Sequence, residues 1–303
     1  MKDFILNAKG CSVVYRETAY VADLYRANFV ITKADVEYMK ELPSFTVLLI
    51  KTPKSRKLEI CPPREVRSQQ LSNEAATFLA DIGVKLVITD DESMKTNCSL
   101  PVIAPVCLYG IEPGYYSCSS DEDGVVLSDI PAGTLPLGVR RDGSLYSRIQ
   151  WGSTTTLNPY YWICNLIDDD IERNGGTWGA NTHGPANAIL DFFGEEKSIS
   201  CIRIFHNVGS PISIEEEMAS AIRIYVSNDE KCTHFGNEEA DINSVDWTEI
   251  VSTQMEMKEQ WNTYFLKTPV TAKYVRIELV KNFDTPPDVP WTETAELKIF
   301  PVR

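Results

Sequence analysis

Histidine is scarce in this chain: three in 303 residues, at His183, His206 and His234. The first 150 residues therefore hold no imidazole, which removes the commonest zinc ligand and a His general base from that half. Eight cysteines are present but no two form a CxxC pair. That excludes a structural zinc site built from closely spaced thiolates. The cysteines read as buried free thiols, small and apolar in behaviour, or as disulfides if the protein is secreted. GxSxG, HExxH, P-loop and GxGxxG signatures are also missing, so no familiar nucleophile, metalloprotease or phosphate-cradling motif is available. No apolar run reaches the roughly 18 to 20 residues of a membrane helix. The opening MKDFILNAKGCSVVYRE lacks an apolar core followed by a small-residue cleavage site, the pattern of an export signal. The expected compartment is the cytoplasm, or outside the cell if a signal has been trimmed.

Positive charge is in short supply too, with 29 Lys and Arg against 43 Asp and Glu and a net charge of −14. The deficit is uneven: residues 1–150 carry 17 basic and 19 acidic side chains, residues 151–303 carry 12 and 24. A half at −12 repels phosphate backbones, which argues against nucleic acid as a partner and for a cation. At 43% hydrophobic and 24% charged, the rest is ordinary globular composition, and the length suits two domains.

The two halves follow different grammars, with the change near residue 150. In the first, Thr32 caps an expected helix, ADVEYMKEL, that Pro43 stops. FTVLLI (45–50) is an apolar run of strand length. Ser72 precedes NEAATFLADIG, where Ala75, Phe78, Leu79 and Ile82 fall at helical spacing and Gly83 suits a left-handed cap. KLVIT (85–89) is a second buried strand. Strand, helix, strand predicts an α/β domain over residues 1–148 with neighbouring parallel strands. In the second half, AILDFF, SISCIRIFH, AIRIYVSN, WTEIVST, NTYFLKT, KYVRIELV and AELKIFPV recur between Gly, Pro, Asn and Asp turns. Short strands at regular spacing predict an all-β antiparallel sandwich or jelly roll over residues 149–303.

Four stretches of the second half resemble the discoidin, or coagulation factor 5/8 type C, family, with its galactose-binding-like jelly roll and its carbohydrate-binding modules. Asn165-Leu166-Ile167-Asp168-Asp169-Asp170 with Thr177-Trp178 is similar to the family's N-x-I-D-G-D…T-x-W entry. Ala188-Ile189-Leu190-Asp191-Phe192-Phe193-Gly194, followed by Ile202-Arg203-Ile204, resembles its I-x-x-D-L-G strand. Ile224-Tyr225-Val226-Ser227-Asn228-Asp229 with Trp247-Thr248-Glu249-Ile250 resembles I-x-V-S-x-D…W-x-x-V. Ala272-Lys273-Tyr274-Val275-Arg276-Ile277 and Ala295-Glu296-Leu297-Lys298-Ile299 resemble A-R-Y-V-R-L…E-I-x-V. The resemblance implies a structural Ca²⁺ held by Asp168, Asp170, Thr177 and Glu296, with Asp169 standing where the family has glycine. Crowded carboxylates in a turn independently favour a hard cation, which takes oxygen ligands.

Sugar recognition needs an aromatic plate and a few fixed hydrogen-bonding groups, supplied in a sandwich by loops at one end. The expected contacts are His206, Asn207, Trp291, Trp261 and Arg173. Trp178 and Trp247 are expected in the core, while His183 and His234 read as loop residues.

Residues 10–148 more faintly resemble the cyclase family that includes kynurenine formamidase. The resemblance rests on Gly10 to Tyr15, Ile31 to Glu37, Val47 to Thr52, Leu71 to Asp90 and Leu135 to Ser144. The family's H-x-G-T-H-x-D-x-P metal motif has no counterpart here, so a noncatalytic cyclase-like domain is expected. Asp90-Asp91 reads as a pair of loop acids after a strand. The leading expectation is thus glycan binding by the second half. The alternatives are a metal-dependent amide hydrolase with ligands from elsewhere, and a protein-protein interaction module.

Overall fold

The computed structural model describes residues 3–6, 17–24, 29–52, 68–94, 100–108, 111–120, 124–129, 139–153, 161–169, 171, 176–180, 185–208, 215–233, 239–283 and 291–302. The chain divides into two compact units, Met1–Ser144 and Leu145–Val302.

The first unit is built on a seven-stranded mixed sheet. Its strands are β1 (Asp3–Leu6), β2 (Glu17–Asp23), β4 (Val47–Lys51), β6 (Leu86–Thr89), β7 (Val102–Ile103), β8 (Gly114–Ser120) and β9 (Val125–Asp129), in the order β1-β9-β8-β2-β4-β6-β7. The run β2, β4, β6, β7 is parallel, and β8, β9 and β1 add antiparallel. A small parallel pair joins β3 (Val30–Ile31) to β5 (Gln70–Leu71). Helix α2 (Asn73–Asp81) forms the crossover between β4 and β6, as the strand-helix-strand pattern predicts. The Ser72 hydroxyl accepts the Ala75 N–H at 3.1 Å, and Gly83 ends the element at φ +101, each satisfying groups that a helix terminus leaves open. Ala75, Ala76 and Leu79 are its buried residues.

The expected helix after Thr32 is only partly α-helical. Thr32 and Asp35 form a capping box, but α1 spans Lys33–Val36 and passes into a 3₁₀ turn over Glu37–Glu41. Val36, Met39 and Leu42 are all fully buried. A spacing of three stacks them on one side of a 3₁₀ turn, whereas α-helical winding would spread them.

The second unit is antiparallel throughout its main sheets. The strands are β10 (Arg148–Gly152), β11 (Trp178–Ala180), β12 (Ala186–Asp191), β13 (Lys197–His206), β14 (Ala219–Ser227), β15 (Thr248–Gln254), β16 (Gln260–Ala272), β17 (Tyr274–Asn282), β18 (Thr292–Thr294) and β19 (Glu296–Pro301). One sheet runs β10-β12-β17-β14-β15, a second β16-β13-β19, and β11 pairs with β18. All six residues of β12 are buried, as are the last eight of β13. Both faces of these strands are covered, which is why AILD and ISCIRIF read as apolar runs instead of strict alternation. Trp178 is fully buried, and half-buried Trp247 packs against the cluster of Ile189, Cys232, Ile242, Val245 and Tyr274. Among the described cysteines, Cys118, Cys201 and Cys232 are buried free thiols, while Cys107 and Cys164 are exposed. No helix among the described residues is long and apolar enough to cross a membrane.

Candidate functional site

One end of the second unit gathers most of the expected contact residues. There β13 finishes at His206, β16 begins at Gln260 opposite it, β19 begins at Glu296 opposite Phe205, and β18 begins directly after Trp291. The antiparallel order brings these ends together from segments up to 90 residues apart, so His206, Asn207, Trp261 and Trp291 share one end of the fold. Arg173 and Asp170 lie outside the described residues.

His206 and Asn207 correct the expectation of surface contacts. Both are fully buried. The His206 ring meets the Glu256 carbonyl through Nδ1 at 2.9 Å, which makes Nδ1 the protonated nitrogen, and Nε2 makes no hydrogen bond. Burial drives its pKa down to about 4, against a smaller upward pull from the carbonyls of Glu256 and Ala219, so the ring is neutral. The Asn207 amide donates to the Ile171 carbonyl at 3.2 Å and its Oδ1 accepts the Val208 N–H at 2.8 Å. Both side chains tie neighbouring loops to the end of β13.

Trp261 and Trp291 are half-buried and keep part of each ring at the surface. Trp261 is bordered by cations: the Arg203 guanidinium lies 4.5 Å from its ring centroid and Lys298 Nζ 5.9 Å, while Phe205 meets it edge-on at 5.3 Å. A cation over an indole face is a favourable pairing. Arg203 Nε also donates to Thr263 Oγ1 at 3.3 Å. Trp291 is anchored differently. Its Nε1 donates to Glu293 Oε1 at 2.5 Å, its carbonyl accepts from Asn282 Nδ2 at 2.7 Å, and Tyr161 packs edge-on at 4.7 Å. A Cβ at Gly179 would come within 2.8 Å of the indole, so the bare glycine backbone is the floor on which Trp291 lies. Thr177-Trp178-Gly179 carried that signal, and reading the sequence missed it. Glu293 was missed as well: fully buried, it also accepts the Thr177 hydroxyl at 2.7 Å.

The expected cation ligands are only partly brought together. Glu296 is fully buried and its Oε2 accepts the Asp169 N–H at 3.1 Å, which places its carboxylate beside Asp169. Asp169 holds φ +67, where glycine is ordinarily favoured, and its carboxylate pairs with Lys298 Nζ at 2.8 Å. Asn165 Nδ2 donates to the Thr177 carbonyl at 3.1 Å, and Asp168 is exposed. These are hard oxygen donors of the kind Ca²⁺ takes. Among the described residues, however, no three His, Cys, Asp or Glu side chains converge as a metal centre requires.

In the first unit Asp90 and Asp91 directly follow β6, as loop acids after a strand, and both are buried. Asp90 accepts the Thr52 N–H at 3.1 and 3.3 Å, and Asp91 accepts those of Gln69 and Ser93, each at 2.9 Å. The pair clamps three segments at the carboxyl ends of the parallel strands.

No family model matches the sequence, and no curated protein matches it. Several of the solved structures similar to part of the chain are carbohydrate-binding modules of family 32. One, from Clostridium perfringens and in complex with GalNAc-β-1,3-galactose, is 12% identical over 51% of this chain and 94% of that one, with a TM-score of 0.37. The family 32 module of C. perfringens NanJ, in complex with galactose, is 15% identical over 51% and 98%, with a TM-score of 0.36. The module of Streptococcus pneumoniae EndoD is 10% identical over 51% and 95%, with a TM-score of 0.38. These similarities span about half of the chain.

Proposed function

We propose that the second unit binds a glycan at the end carrying Trp261 and Trp291. The observation that carries this reading is the pair of half-exposed indoles, each fixed from behind by buried polar groups: Arg203 behind Trp261, and Glu293 with Gly179 behind Trp291. A pyranose presents an apolar C–H face that stacks on an indole, and its hydroxyls take hydrogen bonds from fixed polar neighbours. In this role His206 and Asn207 are positioning residues that hold the loops. The test is a glycan array of neutral and acidic sugars, followed by titration of galactose and N-acetylgalactosamine into the full chain. Trp261→Ala and Trp291→Ala are each expected to weaken binding at least tenfold while the fold is retained. An array without any binder removes the reading.

The same proposal includes a structural Ca²⁺ at the 165–177 turn, with Glu296, Asp168, Asp170 and Thr177 as its ligands. Buried Glu296, directed at that turn, supports it. Such an ion supplies charge neutralisation and loop bracing. Calcium is expected to raise the melting temperature over a chelator control, and Glu296→Gln to abolish that rise; equal melting temperatures would remove the ion.

A further inference from the structure

The opposite end of the second unit carries a turn whose residue runs against turn chemistry. The Glu195 N–H donates to the Phe192 carbonyl at 3.1 Å, and the two residues inside, Phe193 and Gly194, both have positive φ, +57 and +81. This is the backbone of a type I′ turn, which selects Asn-Gly, Asp-Gly or Gly-Gly because a bulky side chain there meets its own backbone. Phe193 occupies the strained position and is 58% exposed. An aromatic ring that costs backbone strain and stays outside the core serves neither the turn nor the packing.

Its surroundings are prepared. Buried Asp191 accepts the Phe193 N–H at 2.8 Å through Oδ1, and the same carboxylate accepts Arg148 Nε–H at 2.8 and 3.0 Å. One carboxylate therefore fixes both the strained backbone and the guanidinium, which stands 5.3 Å from the Phe193 ring centroid. Arg148 spends Nε on Asp191, and its side chain is 55% exposed. Tyr146 precedes Arg148 by two residues, just before β10 begins. Tyr146 is 51% exposed.

We propose that Phe193, Arg148 and Tyr146 form a second sugar subsite, at the end of the unit remote from His206, that takes a neutral pyranose. The ring's C–H face lies on Phe193 and its hydroxyls accept from the terminal amino groups of Arg148. Neutrality follows from charge. Asp191 already compensates Arg148, and an anionic sugar would meet a half of the chain at −12, which repels it. Two rings and one guanidinium are also far smaller than the roughly 800 Å² per partner of a stable protein interface. The proposal rests on the glycan reading and adds a second site to it.

The test is a two-dimensional amide NMR titration of the full chain with methyl galactoside, methyl glucoside and glucuronate, following the Gly194 amide at this end and the Trp261 indole at the other. Neutral glycosides are expected to shift Gly194 in the native protein and in Trp261→Ala. Phe193→Asn, which suits the turn, and Arg148→Gln are each expected to weaken that shift at least tenfold while the Trp261 response persists. A Trp261 response with Gly194 unmoved at saturation overturns the subsite and leaves the first reading intact. Movement of Gly194 by glucuronate alone overturns the neutral class, and silence at both ends overturns both proposals.

Discussion

The two ends of the β-sandwich use the same strands in opposite ways. At the His206 end, polar side chains that a sequence reader would place on the surface are turned inward: His206, Asn207 and Glu293 are fully buried and hold loops and an indole in place. At the other end, a phenylalanine that the same reader would place in the core is held outward on a strained backbone. The contrast teaches that residue type alone does not separate support from contact; what separates them is which loops cover the end of each strand, and that is decided by tertiary packing.

The largest test of this contrast is Glu293→Ala. It strips Trp291 Nε1 and the Thr177 hydroxyl of their buried acceptor, and each orphaned donor is costly. Denaturant unfolding is expected to show a loss of about 4 kcal/mol; a loss below about 1 kcal/mol would show that Glu293 is no anchor.

Next is the acid sensitivity of the same end. The folded pKa of His206, pushed down to about 4, lies below the roughly 6.5 of an unfolded histidine. Between these values the unfolded chain binds the extra proton, so stability rises with pH across this window and falls as pH drops through it. The expected loss from pH 7 to pH 4 is on the order of 3 kcal/mol. His206→Phe should flatten that slope in stability curves taken at several pH values, and an unchanged slope would place the sensitivity in another group.

At the other end the sign reverses. Phe193→Asn relieves a strained position and is expected to stabilise the fold by about 1 kcal/mol, seen as a higher melting temperature. A lower one would mean that the ring packs after all. The smallest effect is expected for Lys298→Met, which removes a partly exposed ion pair with Asp169 and should cost about 0.5 kcal/mol. A cost several times larger would make Lys298 the principal brace of the Asp168-Asp169 segment.

What was legible in the sequence follows from the same distinction. Local signals translated directly: the Ser72 cap, the spacing through Leu79, and Gly83 located α2, and the strands on either side of it pair in parallel. The alternating segments of the second half became antiparallel sheets, and Trp178 lies in the core. The fate of His206 and Asn207 was not legible, because burial at a strand end depends on loops distant in sequence. The burial of Asp90 and Asp91 was hidden for a related reason, since their partners Thr52 and Gln69 come from other segments. Phe193 did leave a signal, a bulky residue before glycine in a two-residue turn, but the I-x-x-D-L-G resemblance absorbed it as ordinary strand.

Strand β13 has one more consequence. It is hydrogen-bonded on both sides, to β16 and to β19, and eight successive residues expose almost nothing. Its amides have no local route to solvent, so deuterium reaches Ile204 only when the whole unit opens. The exchange rate of that single amide is a clock for the lifetime of the folded sandwich, readable in the intact chain without denaturant.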